Sequence, residues 1–261
     1  RAAKDGRMNR IDRKFKELKK RGKKAFIAYI AAGDPDISVT KELIAALERS
    51  GVDIIELGIP FSDPLADGPT IQAASQRALK RGMSLRKAFS AVSDIRKRTD
   101  IPLVFMTYFN PVMKYGIGRF MGECKRSGVD GVIVPDLPCV EAKELVAHAR
   151  IHGIQTIFLA APTSTKKSVA TISRMSQGFI YYVSLTGVTG QRKALSGEIA
   201  GKVRYIKSVS AKPVAVGFGV STPDQARQVA KCADAVIVGS ALVKIIENNS
   251  GNRSQVISKV S

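Results

Sequence analysis

The sequence predicts an α/β fold, a single (β/α)8 barrel, and three observations carry the prediction. Apolar or β-branched runs recur eight times, amphipathic segments of helical spacing separate them, and 261 residues is a common length for one such barrel. Strand–helix alternation with short connections enforces parallel pairing, because a parallel neighbour is reached only through a crossover. A doubly wound open sheet is the alternative. It would want a G-x-G-x-x-G turn after the first strand, and Ala31-Ala32-Gly33-Asp34-Pro35 is not one.

The strand runs are 25–32, 53–59, 102–108, 131–137, 155–161, 179–185, 213–218 and 235–238. Segments 39–48, 84–97, 117–127, 140–152 and 223–231 have helical periodicity between them. An extra helix at 9–24 places Ile11, Phe15 and Leu18 on one face, which suits it to cap the bottom of the barrel. Met8 is a natural start, so residues 1–7 read as a processing or expression remnant, 8–248 as the barrel domain and 249–261 as a C-terminal tail. In the polar, Ser/Asn-rich tail, Val256, Ile257 and Val260 would finish a last helix, and its end is expected to fray.

Composition excludes several classes. No apolar run reaches the ~20 residues of a membrane span, and the basic N-terminal stretch has no apolar signal region, so the expectation is a soluble cytoplasmic protein. Cys124, Cys139 and Cys232 are odd in number and lack CxxC spacing, which indicates neither a disulfide framework nor a zinc site. His148 and His152 lie four apart without the Glu of H-E-x-x-H, so no metal is expected, and both are read as solvent-facing. The net charge of +20 invites a nucleic-acid reading. Its distribution argues against one: residues 1–24 hold 12 Lys/Arg against three acids, and the rest is scattered over helix ends with no accompanying recognition motif.

The segment from Glu56 to Pro69 carries the chemistry. Glu56 interrupts an otherwise apolar strand run, and desolvation there raises a carboxylate's pKa toward neutrality, as acid–base work requires. Asp67 follows in a Gly/Pro-punctuated loop, where a more polar setting would keep it ionised; two acids in unlike settings make a candidate acid/base pair. In barrels the chemistry sits where strands end. The last two strands end in Gly217-Phe218-Gly219 and Gly239-Ser240-Ala241, small residues that admit a phosphate to backbone N–H groups at a helix N-terminus. The loop 186–193, Gly-punctuated and basic, has the makeup of a lid over a bound anion.

Residues 56–72, Glu-Leu-Gly-Ile-Pro-Phe-Ser-Asp-Pro-Leu-Ala-Asp-Gly-Pro-Thr-Ile-Gln, resemble the signature of the tryptophan synthase α subunit family. So do Gly33-Asp34-Pro35, Pro135-Asp136-Leu137-Pro138, Gly187-Val188-Thr189-Gly190 and the two phosphate turns, over a match from about Met8 to about Ile246. The resemblance implies a TIM barrel that cleaves indole-3-glycerol phosphate to indole and glyceraldehyde 3-phosphate. It assigns proton transfer to Glu56 and the indole N–H to Asp67. It places Tyr29, Met106, Ile133, Leu159, Tyr181 and Phe218 around the indole, Gly190, Gly219, Gly239 and Ser240 around the phosphate, and Gly187 and Thr189 in the lid. Pro60 and Asp63 match positions facing a β subunit, with an α2β2 assembly implied. Pyridoxal phosphate belongs to that partner, and the α reaction takes no cofactor. A standalone lyase would carry the same residues. Leu185 departs from the family, some of whose members have a basic residue there, and Asp34 and Asp136 are read as loop braces.

Overall fold

The computed structural model describes residues 8–183, 192–217 and 219–261, with backbone alone for 192–196. Nine parallel strands form one sheet: β1 (Ala25–Ala31), β2 (Ile54–Gly58), β3 (Leu103–Met106), β4 (Gly131–Ile133), β5 (Gln155–Ile157), β6 (Leu159–Ala160), β7 (Ile180–Val183), β8 (Val214–Gly217) and β9 (Ala235–Val238). Their order is β5-β4-β3-β2-β1-β9-β8-β7-β6. The count exceeds the predicted eight because run 155–161 is divided at Phe158. Its first part pairs with β4 and its second with β7, and the Tyr181 N–H donates to the Phe158 carbonyl at 3.1 Å. One run thus supplies both edges and brings the sheet round on itself as a barrel.

Twelve helices are present among the described residues: α1 (Arg10–Lys20), α2 (Ile37–Arg49), α3 (Pro69–Lys80), α4 (Leu85–Arg96), α5 (Phe109–Tyr115), α6 (Ile117–Ser127), α7 (Lys143–His152), α8 (Lys166–Met175), α9 (Arg192–Val209), α10 (Pro223–Ala230), α11 (Ser240–Asn248) and α12 (Arg253–Val260). The expected helix at 9–24 is α1. Its Asn9 cap accepts from Ile11 N–H at 2.9 Å, and Ile11, Phe15 and Leu18 enter the barrel, Phe15 against Phe179 at 5.8 Å between ring centroids. Burial of each stabilises the plug by about 1.5–3 kcal/mol. The tail is packed and bears the expected last helix: α12 is capped by Asn252, Val256 is fully buried and Val260 is 7% exposed.

Strand alternation divides the core into two shells. Ile27, Ile54, Val104, Ile133, Ile157, Tyr181, Ala215 and Ile237 point into the barrel, while neighbours such as Ile30, Leu57, Phe105 and Tyr182 pack beneath the helices. His148 and His152 are half-buried rather than fully exposed. They cover the two glycines of α6, the His148 ring lying 3.0 Å from where a Cβ on Gly118 would stand and the His152 ring 3.5 Å from that of Gly122. At the bottom, Arg96 is 9% exposed and donates to Asp130 Oδ2 and the Gly128 carbonyl, each at 2.7 Å, and Asp130 accepts the Leu103 N–H at 2.9 Å.

Candidate active site

Glu56 is the central residue of β2. Ile55 and Leu57 on either side face the helices and Ile54 faces the barrel interior, so the two-residue period aims the Glu56 carboxylate inward. It is 1% exposed, and Oε2 accepts no hydrogen bond among the described residues. Desolvation, reinforced by the charge of Asp67, pushes its pKa up to about 8.

Asp67 lies half-buried in the loop between β2 and α3. Burial raises its pKa to about 6, against a hydrogen bond from the Tyr108 hydroxyl that favours the ionised form. The loop therefore does not leave this carboxylate at its ordinary value; what holds is the separation, with Asp67 ionised and Glu56 protonated at neutral pH. The Tyr108 oxygen also accepts the Ala66 N–H at 3.0 Å, and Gln72 Nε2 donates to the Asp67 carbonyl at 2.8 Å.

Two tyrosines close the floor. Tyr29 is the register neighbour of Glu56 on β1, and its hydroxyl occupies the space a side chain on Gly58 would take, 2.1 Å from the ideal Cβ. The Tyr181 hydroxyl does the same over Gly217 at 2.6 Å, so both glycines are required by the rings above them. Burial drives both phenols well above the usual tyrosine range, and the charge of Glu56 adds to each, which places them near it.

Tyr29, Glu56, Asp67, Met106 and Tyr181 line one cleft together with Gly219, Gly239 and Ser240. Gly219 adopts φ +76°, a left-handed conformation that favours glycine. Ser240 opens α11, whose N-terminus has no side-chain cap, whereas the neighbouring α10 satisfies its own with a Thr222–Gln225 capping box. The free N–H groups of α11 thus face the cleft with the positive end of the helix dipole behind them, the arrangement that binds phosphate.

Not every expected residue reaches the cleft. Ile133 is fully buried in the inner cluster, and Leu159, Met106 and Val183 pack against that cluster; of these only Met106 also lines the cleft. Ile133 and Leu159 thus sit in the inner barrel cluster, Leu159 only partly buried. Pro60 is buried within its own chain, while Asp63 is exposed and Leu65 is 83% exposed. Phe218, Gly187, Thr189, Gly190 and Leu185 lie outside the described residues. Asp34 and Asp136 brace loops, Asp34 through Arg77 and Asp136 by accepting the Phe109 N–H at 2.9 Å. Sequence reasoning missed Gly68, Ile71, Val220, Ser221 and Ile237 in the lining. Gly68 and Ile71 fall inside the 56–72 segment and Ser221 lies beside the first glycine turn, so proximity was their one signal. Among the described residues no cluster of His, Cys, Asp and Glu is arranged to hold a metal, and no helix is long and apolar enough to cross a membrane.

The family model described as tryptophan synthase alpha chain matches residues 15–261. The chain belongs to the tryptophan synthase alpha chain family. A relative of that name from Caldanaerobacter subterraneus subsp. tengcongensis is 49% identical over 253 residues, covering 97% of this chain and 96% of the relative. Among solved structures, tryptophan synthase subunit alpha from Legionella pneumophila str. Paris superposes with a TM-score of 0.88 at 37% identity, covering 97% of this chain and 99% of that one. A structure from Pyrococcus furiosus, concerned with mutual activation of the tryptophan synthase α2β2 complex, superposes at 0.83 with 44% identity, covering 90% and 96%. Tryptophan synthase alpha chains are thus matched in sequence and fold over nearly the whole length, a span that takes in β2 and the segments following β8 and β9.

Proposed function

We propose that Glu56 and Asp67 divide the work of the α reaction between them. The chain is a carbon–carbon lyase: it cleaves indole-3-glycerol phosphate to indole and glyceraldehyde 3-phosphate. Retro-aldol cleavage needs a proton on indole C3, which turns the ring into an indoleninium. The bond from C3 to the side chain then breaks, its electron pair returns to the ring, and the adjacent hydroxyl loses its proton as the aldehyde forms. Glu56, protonated up to about pH 8, delivers the first proton, and its carboxylate then accepts the second, so the group is regenerated in one turnover. Asp67, ionised above about pH 6, accepts the indole N–H and stabilises the cationic ring.

The substrate's other end is held by Gly219, Gly239 and Ser240 at the uncapped start of α11. Tyr29, Met106 and Tyr181 supply apolar surface for the indole between the two ends. Proton transfers and anion binding are sufficient for this chemistry, so it takes no cofactor, and pyridoxal phosphate belongs to the β subunit. That subunit is the partner we propose, in an α2β2 assembly like that of the Pyrococcus furiosus relative. The loop bearing Asp67 also bears exposed Asp63 and Leu65, so a protein seated there would act directly on a catalytic carboxylate.

The observation that carries the reading is the pair of carboxylates split to about 8 and about 6 in one cleft that also holds a free helix N-terminus. Its test is indole release by Glu56→Gln, expected to fall by about 10²–10⁴ while affinity for inorganic phosphate persists. Substantial residual turnover in that variant would sink the assignment of roles. A rise in lyase rate on adding a β subunit checks the partner, and full turnover without one favours a standalone enzyme.

A further inference from the structure

The segments that bear on the cleft are joined outside it by one side chain. Arg77 on α3 donates from Nε to Asp34 Oδ1 at 2.9 Å and from Nη2 to Asp34 Oδ2 at 2.8 Å, and its remaining arm, Nη1, donates to Glu247 Oε1 at 2.8 Å. Asp34 lies in the turn after β1, α3 follows directly on Asp67 and Gly68, and Glu247 stands near the end of α11, the helix that Ser240 begins. Asp34 is 1% exposed, so its charge requires a cation, and the two-pronged pair fixes the plane of the guanidinium. With that plane set, the direction in which Nη1 meets Glu247 is set too. Lysine, a point charge on a flexible stem, would define neither.

We infer that Arg77 is a positioning residue for the lyase reaction, holding the carboxylate loop at a fixed distance from the phosphate turn. The inference rests on the phosphate and carboxylate roles proposed above. Its physical content is leverage. α11 packs against both α3 and β1, and a helix held at its far end by Glu247 cannot tilt its N-terminal N–H groups away from the cleft. A substrate gripped there by its phosphate then presents its ring to Glu56 and Asp67 at one separation, and small errors in that separation are costly to rate.

Two variants test it, read by steady-state kinetics, by competition of inorganic phosphate with substrate, and by thermal melting. Glu247→Gln removes a partly exposed negative charge, which by electrostatics alone would tighten phosphate binding. The positioning role requires the opposite sign: phosphate affinity weakened about threefold, with KM raised more than kcat is lowered. Arg77→Lys keeps a cation beside Asp34 but loses the fork, and should lower kcat about tenfold and raise KM. A lower melting temperature with kcat, KM and phosphate affinity unchanged would make Arg77 a structural brace only and overturn the inference. Where Arg77→Lys does not fold, the sign of the Glu247→Gln effect decides alone. If inorganic phosphate fails to compete even in the unsubstituted chain, the phosphate turn itself is misassigned and the linkage falls with it. Competition that neither variant alters rejects the linkage and leaves the turn standing.

Discussion

Tyr108 donates its hydroxyl proton to the Asp67 carboxylate and with the same oxygen accepts the Ala66 N–H at 3.0 Å. A residue two positions past the end of β3 therefore holds the loop that follows β2, and it favours the ionised form of the carboxylate it holds. Tyr108→Phe keeps the ring contact with Phe61, at 5.3 Å between centroids, and removes both hydrogen bonds. Asp67 should then titrate higher than about 6, and the acid limb of the kcat/KM profile should move up by about one pH unit. An acid limb left in place by this variant would mean that the bond has no bearing on the titration.

The two carboxylates set the shape of the whole profile. Catalysis requires Asp67 ionised and Glu56 protonated, so kcat/KM should rise through about 6 and fall through about 8. The limbs are properties of a coupled pair. Asp67→Asn removes the neighbouring charge that helps raise Glu56, so besides lowering the rate it should abolish the acid limb and shift the alkaline limb downward. An upward shift would contradict the electrostatic account.

Glu56 should also cost stability. Its carboxyl binds a proton up to about pH 8 when folded, against an ordinary value of 4.5 when unfolded, so between those limits the native state holds the extra proton. Stability is then highest below pH 4.5 with respect to this group and declines as pH rises to about 8. The decline attributable to it is of the order of 3–5 kcal/mol. Glu56→Gln should flatten that part of the dependence and melt higher than the unsubstituted chain at pH 8, as thermal unfolding at pH 5 and pH 8 would show. Equal slopes in the two proteins would place the proton elsewhere.

Arg96 makes the opposite bargain at the barrel's bottom. Removing it leaves Asp130 buried without its 2.7 Å partner, the more exposed Arg10 at 3.1 Å then being its cation and the Leu103 N–H at 2.9 Å its backbone donor. Arg96→Ala should destabilise by about 3–5 kcal/mol and lower the melting temperature by about 10 °C. Because the pair lies at the end of the barrel opposite the cleft, kcat measured well below that temperature should stay within about twofold, since such distant sites couple weakly.

What the sequence alone revealed about this site is the part governed by short-range periodicity. A carboxylate flanked by Ile55 and Leu57 on a strand has only two directions to point, and the interior is the one that Ile54 shares. Gly219 and the Gly239-Ser240 turn were legible because left-handed backbone and free helix N–H groups demand small residues locally. The helices α3 and α11 were harder to see. α3 buries mostly small residues, Ala74, Ser75 and Ala78 beside Ile71, which leave little hydrophobic contrast for periodicity to register.

Local chemistry, then, was determined by the order of residues: which side chains face inward, which turns admit an anion, and that Glu56 and Asp67 differ in setting. Only the tertiary structure decided their values and their company. The division of a strand at Phe158, the burial of Ile133 beneath the cleft, the bond from Tyr108 to Asp67 and the reach of Arg77 to Asp34 and Glu247 all join residues far apart in sequence. Desolvation and Coulomb interaction depend on what surrounds a charge in space, and spacing along the chain carries no record of that until the barrel closes.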